Sequence, residues 1–102
     1  MVEVRWTLQA NEDMAQIAEF ISIDSIHYAR IQLERFFDAA KVLERFPEYG
    51  KPVPELNAME IREILVGNYR IIYRIISANR IDVITVHHSR RLLDRDLFTW
   101  FE

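Results

Sequence analysis

The sequence predicts an α+β fold in which two helices pack on one face of a mostly antiparallel sheet. Three regions indicate this class: a short alternating stretch at the start, a long region of helical periodicity, and a later region rich in β-branched residues. The 102 residues suffice for one modest core, so we expect a single domain over residues 1–102. Half of the residues are hydrophobic and 28% are charged, which is typical of a globular protein and not of a disordered one.

The first strand and the first helix follow from the spacing of apolar residues. Hydrophobic and polar side chains alternate from residue 2 to residue 7, which predicts a strand with one buried face. Thr7 is placed to cap the helix that follows. The apolar positions of this helix recur every three or four residues, at Met14, Ile17, Ala18 and Ile21.

A second, longer helix is predicted to start at Asp24 or Ser25. We expect Pro47 to end it, because proline lacks an amide hydrogen and clashes with the preceding turn. Its apolar face consists of Ile26, Ala29, Leu33, Phe36, Ala40 and Leu43, and Phe37 widens it. The two helices should form an antiparallel hairpin. Residues 48–57 contain one glycine and two prolines and predict a connecting loop.

Three strands are predicted over approximately residues 59–65, 69–77 and 81–88, joined as an antiparallel meander. Gly67 and Asn68 should supply the positive backbone angles of the first tight turn. In the middle strand, Tyr69 and Tyr73 share one face and Arg70 lies on the other. A short C-terminal helix is predicted for residues 92–101, with Leu93, Leu97, Trp100 and Phe101 on one side.

The charge is distributed unevenly along the chain. Residues 1–60 carry six basic and eleven acidic side chains, whereas residues 61–95 carry seven arginines and three acidic side chains. The arginines of a small sheet are compatible both with a solvated face and with an anionic partner. Only Lys41 and Lys51 are lysines, and arginine favours planar, forked contacts.

Arg70 and the two adjacent histidines are the residues with the clearest chemical potential. Arg70 could form a cross-strand ion pair with Glu63 or Asp82, or it could present a fixed guanidinium to a phosphate or carboxylate. His87 and His88 should lie on opposite faces of their strand, so they cannot hold one metal ion together. We therefore expect no metal site and no cofactor, although one histidine could act as an acid or base near neutral pH.

Several classes of function are excluded by what the sequence lacks. The absence of cysteine rules out disulfides and cysteine-based zinc sites and favours the cytoplasm. No apolar run approaches the roughly 18 residues of a membrane span, and the first residues do not resemble a signal peptide. Glycine-rich phosphate loops, nucleophile elbows and paired-carboxylate motifs are also missing.

The order of elements and a series of short motifs resemble the RelE/ParE superfamily of type II toxin–antitoxin toxins. The motifs are Val4-Arg5-Trp6-Thr7, Phe46-Pro47, Gly50-Lys51-Pro52-Val53, Arg62-Glu63-Ile64, Gly67-Asn68-Tyr69-Arg70-Ile71-Ile72-Tyr73 and Val86-His87-His88-Ser89-Arg90-Arg91. The resemblance covers nearly the whole chain. It implies a cytoplasmic toxin that is neutralised by a cognate antitoxin protein. The expected assembly is a homodimer or a heterotetramer with the antitoxin.

The two branches of this superfamily have different targets. RelE-like members cleave mRNA on the ribosome, whereas ParE-like members inhibit DNA gyrase. The two catalytic lysines of RelE correspond to Ile61 and Glu63 here, and its C-terminal tyrosine has no counterpart. Its first catalytic arginine matches Arg70, and its second falls on Ser89, next to Arg90. The run from residue 88 to residue 91 instead resembles the His-Gly-X-Arg ending of ParE-like chains.

The resemblance thus favours a ParE-like, non-enzymatic inhibitor of DNA gyrase. The residues expected to contact the target are Arg62, Arg70, His88, Arg90 and Arg91. Two alternatives stay open. The first is a ribosome-dependent mRNA endoribonuclease, whose catalytic residues would be Arg70, His88 and Arg90. The second is an inactive toxin-like module that only binds the antitoxin.

Overall fold

The structure, a computed structural model, describes residues 1–90, which form a five-stranded sheet with two helices on one face. In chain order the elements are β1 (Glu3–Trp6), α1 (Leu8–Ser22), α2 (Ile26–Lys41), a 3₁₀ turn (Val42–Glu44), β2 (Lys51–Pro52), β3 (Ile61–Val66), β4 (Tyr69–Ser77) and β5 (Arg80–His88). The predicted α+β class and the meander of three strands are confirmed. The helix predicted for residues 92–101 lies outside the described residues.

The strands lie in the order β1-β5-β4-β3-β2. β1 runs parallel to β5, and the other neighbouring strands are antiparallel. The pairing of β4 with β5 contains a bulge, because Tyr73 lies opposite Val83 while Ile72 lies opposite Thr85. Ile84 is therefore an extra residue of β5 with no opposite residue on β4. It shifts by one position the register of the β5 residues that follow it.

Both helices begin with the side-chain caps that their sequences favour. The Thr7 hydroxyl accepts a hydrogen bond from the Ala10 amide at 3.1 Å, and Ser25, not Asp24, caps α2. The prediction that α2 extends to Pro47 is wrong. The helix ends at Lys41 and tightens into the 3₁₀ turn, which places Leu43 fully inside the core.

The sheet is covered on both faces, by the helices on one side and by a loop on the other. The helix-side core contains Ala10, Met14, Phe36, Leu43, Ile64, Ile71, Tyr73, Ile81, Val83 and Val86. On the opposite side, Val53 of the loop between β2 and β3 packs on Ile61, Ile72 and Ile84. The sequence did not reveal β2, whose two residues pair with β3 at the sheet edge, where a proline is tolerated.

Two glycines are required by the backbone. Gly67 has a φ of +58°, whereas Asn68 does not have the positive φ that we expected, so the turn follows the pattern with glycine at the first central position. Gly50 is required for a different reason. A Cβ atom at this position would lie 2.5 Å from the Glu63 carbonyl oxygen and 2.7 Å from the Tyr73 ring.

Candidate functional site

The polar residues at the end of β5, together with the turn that follows, form the main candidate site, which we call the basic end and define as His88, Ser89 and Arg90. All three residues are exposed. The Ser89 amide donates to the Asn68 carbonyl at 2.7 Å, and the Arg90 amide donates to Nδ1 of His88 at 3.2 Å. The His88 ring meets the Tyr69 ring edge-on, with centroids 5.7 Å apart. Main-chain and ring contacts therefore fix the site, while the Arg90 side chain remains exposed to solvent.

Arg70 does not belong to the basic end. Its guanidinium is buried and contacts two carboxylates, forming a forked pair with Glu55 at 2.8 and 2.9 Å and a hydrogen bond to Glu63 at 2.7 Å. The bond to Glu55 raises the pKa of Arg70 against the opposing effect of burial, so the group remains charged. Of the two roles considered for Arg70, the structure shows the cross-strand ion pair with Glu63. Contact with a target would require these pairs to open.

Arg62 also serves the structure of the chain itself. It is half-buried, and its guanidinium donates to the carbonyl oxygens of Gly50 at 2.9 Å and Met59 at 3.1 Å. These bonds hold the ends of the loop that covers the second face of the sheet. The fifth predicted contact residue, Arg91, lies outside the described residues.

The structure brings together some of the predicted site residues and separates others. His88 and Arg90 are neighbours at the basic end, whereas Arg70 lies opposite His87 across the β4–β5 pair and so shares the face of His87. Because side chains alternate along a strand, Arg70 and His88 lie on opposite faces of the sheet. In this arrangement, the three residues of the ribonuclease alternative do not surround one substrate phosphate.

Sequence reasoning did not identify a second surface, which we call the apolar groove and define by Phe46, Pro47, Tyr49, Ile75 and Ala78. These residues form the apolar part of an open cavity of about 600 Å³, whose lining also contains Arg45, Glu48 and Ser77. Phe46 and Tyr49 are 62% and 63% exposed, which is unusual for aromatic side chains of this size. The one available signal was the Phe-Pro-Glu-Tyr run after the second helix, where two large aromatic residues stand outside any periodic pattern.

Residues 1–90 provide neither a metal site nor a membrane-spanning helix. No cluster of three or more His, Asp or Glu side chains in this part of the chain has the geometry to hold a metal ion. Neither described helix has the length and hydrophobicity that a bilayer-spanning segment requires.

Comparisons with known proteins place the chain beside toxins of toxin–antitoxin pairs. Residues 4–93 match the family model described as "ParE toxin of type II toxin-antitoxin system, parDE". No curated protein matches the chain.

Two solved structures have a similar fold. A chain of the chromosomal ParDE toxin–antitoxin system from P. aeruginosa is 15% identical, with a TM-score of 0.70, over 86% of this chain and 96% of that one. A chain of the toxin–antitoxin complex RelBE2 from Mycobacterium tuberculosis is 27% identical, with a TM-score of 0.53, over 86% of this chain and 93% of that one. The arrangement of strands and helices is therefore shared with chains from two toxin–antitoxin systems.

Proposed function

Because this chain belongs to the ParE toxin family of type II toxin–antitoxin systems, we propose that it arrests growth by binding and inhibiting DNA gyrase. The basic end would contact the gyrase–DNA complex, and no chemical step on the toxin would be needed. The family assignment identifies a toxin of a toxin–antitoxin system, and DNA gyrase is the target that we propose for it.

The observation that carries this choice is the position of Arg70. Cleavage of a phosphodiester requires groups that stabilise the phosphate and transfer protons at one place. Arg70 is enclosed by Glu55 and Glu63 on the face of the sheet opposite His88. Within residues 1–90, the basic end thus combines His88 and Arg90 without the Arg70 guanidinium that the ribonuclease alternative requires beside them, which favours binding over cleavage.

A cognate antitoxin is the second proposed partner. The similar chain from Mycobacterium tuberculosis comes from a complex of a toxin with its antitoxin, and the similar chain from P. aeruginosa comes from a toxin–antitoxin system. The apolar groove exposes Phe46 and Tyr49, and large exposed apolar patches commonly mark binding sites for other proteins. We expect an antitoxin segment that folds on binding to cover this groove, the helix pair, the sheet edge, or more than one of these surfaces.

The target is tested with the purified chain in two assays. We expect inhibition of gyrase supercoiling and no cleavage of ribosome-bound message in primer extension. Codon-specific cleavage with supercoiling unaffected would overturn the proposal in favour of the ribonuclease alternative, for which the likeness to RelBE2 is the supporting observation. Failure in both assays, together with normal growth on expression, would favour the inactive module.

The antitoxin is tested by adding the product of the neighbouring antitoxin gene during expression. We expect growth arrest when the chain is expressed alone and rescue on co-expression. Hydrogen exchange should then show protection within α1, α2, β3 to β5 or the segment 42–49 that lines the apolar groove. Rescue without any protection in these elements would contradict the proposed surfaces.

A further inference from the structure

The last residues of β5 lose their neighbouring strand on one side, and α1 takes its place. The pairing of β1 with β5 ends at Trp6 and Val83. Beyond this point the Thr7 amide donates to the Val83 carbonyl at 3.1 Å, and the Thr7 hydroxyl donates to the Ile84 carbonyl at 2.9 Å. Thr7, the cap of α1, thus supplies hydrogen bonds to β5 just beyond the last residue of β1.

Asp13, one and a half turns into α1, makes the next contacts along this edge. One of its carboxylate oxygens accepts a hydrogen bond from the Val86 amide at 3.1 Å and another from the Thr85 hydroxyl. The other oxygen accepts from the side-chain amide of Gln9 at 2.8 Å, on the exposed surface of the helix. A helix side chain therefore satisfies a strand amide that no neighbouring strand reaches.

These contacts lie at the two residues that follow the bulge at Ile84. An extra residue in a strand exchanges the faces of all later side chains, so the bulge decides which histidine faces the helices. With the bulge in place, His88 lies opposite Tyr69 and His87 lies opposite Arg70. If the strand paired without it, the two histidines would exchange faces.

We propose that Asp13 is a positioning residue that holds this bulge and thereby places His88, and not His87, beside Tyr69 at the basic end. Its charge strengthens both bonds, because hydrogen bonds to a carboxylate are shorter and stronger than those between neutral groups. The use of His88 against a target rests on the proposed function. The position of the His88 ring beside Tyr69 is independent of the proposed function and has its own test.

The placement is tested by NMR on the isolated chain and its variants. In the wild type we expect a nuclear Overhauser contact between the rings of His88 and Tyr69. In Asp13→Ala this contact should weaken by about half or more, because the Val86 amide and the Thr85 hydroxyl lose their acceptor. The ring signals of His87 and His88 should move as well, while those of His27 on α2 stay in place.

Two variants serve as matched controls. Asp13→Asn keeps an acceptor oxygen and should restore the contact, and Gln9→Ala removes only the outer partner of Asp13 and should leave the contact unchanged. An unweakened contact between His88 and Tyr69 in Asp13→Ala would overturn the proposal, and so would equal loss in Gln9→Ala. If Asp13→Ala does not fold, Thr85→Val must weaken the contact and Thr85→Ser must retain it.

The supercoiling assay separates this inference from the proposed function. If gyrase is the target, Asp13→Ala should lose inhibition to about the same extent as His88→Ala, and Asp13→Asn should retain most of it. A wild-type chain that does not inhibit gyrase would contradict the proposed function. The NMR result would then still decide the role of Asp13.

Discussion

At the scale of single residues, the contacts around each cation determine whether it can reach another molecule. Arg62 and Arg70 are the two predicted contact residues whose guanidinium groups are occupied by carbonyls and carboxylates of the chain. His88 and Arg90 have exposed side chains. The resemblance to known toxins predicted target contact for all four residues. The sequence alone does not indicate that Glu55 forms an ion pair with Arg70 or that Arg62 donates to backbone carbonyls.

Removing the charge of Arg70 should therefore affect stability first. Arg70→Ala removes the guanidinium that both Glu55 and Glu63 contact. Their side chains are 19% and 11% exposed, so we expect a loss of roughly 2–4 kcal/mol in the free energy of unfolding, somewhat below the value for a fully buried pair. Urea denaturation measures the loss. The triple change of Arg70→Met with Glu55→Gln and Glu63→Gln should recover most of it, and a loss below about 1 kcal/mol in Arg70→Ala would contradict this account.

Tyr73 leads to a prediction about alkaline pH. Its buried hydroxyl donates to the Pro47 carbonyl at 2.8 Å and accepts from the Gly50 amide at 2.9 Å. Burial raises the pKa of Tyr73 in the folded chain above its unfolded value of about 10. The folded state thus holds the proton more tightly. The resulting stabilisation is complete below about pH 10 and is lost as the pH rises through the folded pKa.

Tyr73→Phe should lower the free energy of unfolding by about 1–3 kcal/mol at neutral pH, because it leaves the buried Gly50 amide and the partly buried Pro47 carbonyl without this partner. The variant should also lose less stability than the wild type between about pH 9 and pH 11. Denaturation curves across this range measure both effects. Tyr49→Phe, at an exposed tyrosine, is the control, and an equal alkaline loss in all three proteins would contradict the prediction.

At the scale of elements, periodicity predicted the helices and long strands well because these segments each bury one regular face. β2 was missed because it is only two residues long and its pairing depends on contacts with β3. The bulge was missed for a related reason. Nothing in the run from Ile81 to His88 indicates an extra residue, since Ile84 packs against the loop on the second face and reads like any other strand residue.

The two glycines of this region should tolerate substitution to different extents. Gly50→Ala would press a methyl group against the Glu63 carbonyl and the Tyr73 ring, and we expect a loss of about 3 kcal/mol or more. At Gly67 the surrounding space is open but φ is +58°, so Gly67→Ala should cost only about 1–2 kcal/mol. Gly67→Asn should cost less than Gly67→Ala, because asparagine tolerates this conformation. Thermal denaturation of the three variants checks the order, and a larger loss at position 67 than at position 50 would refute it.

At the scale of the whole molecule, the surplus of acidic residues belongs to the first 60 residues of the chain, and Arg90, just beyond the end of β5, is exposed. Much of the positive charge predicted for the sheet is internally compensated, since Arg70 and Arg80 form ion pairs with neighbouring carboxylates. Among the five arginines of residues 61–90, Arg90 is the one at an exposed position. Counting charges in the sequence attributed a positive surface to the whole of residues 61–95, whereas Arg70 and Arg80 of this region form ion pairs within the chain.

Reversing that charge should weaken target binding through electrostatics. We expect Arg90→Glu to reduce gyrase inhibition by about tenfold or more at low salt, and more than His88→Ala, with the difference shrinking as salt screens the interaction. Inhibition titrations at two salt concentrations measure this. Arg30→Glu, the same reversal on an exposed residue of α2, should have little effect, and equal effects at both positions would show that the basic end is not the contact surface.

The parallel pairing of β1 with β5 has a consequence for the timing of biosynthesis. Thr7 and Ile84, which share a hydrogen bond beside this pairing, are 77 residues apart. At about 5–20 residues per second, roughly 4–15 s of translation separate them. Within this interval the residues of both helices are synthesised before the strand against which β1 and Asp13 rest. The sheet therefore cannot be completed before β5 has been translated, so an antitoxin that is already present can meet the chain while it is still folding.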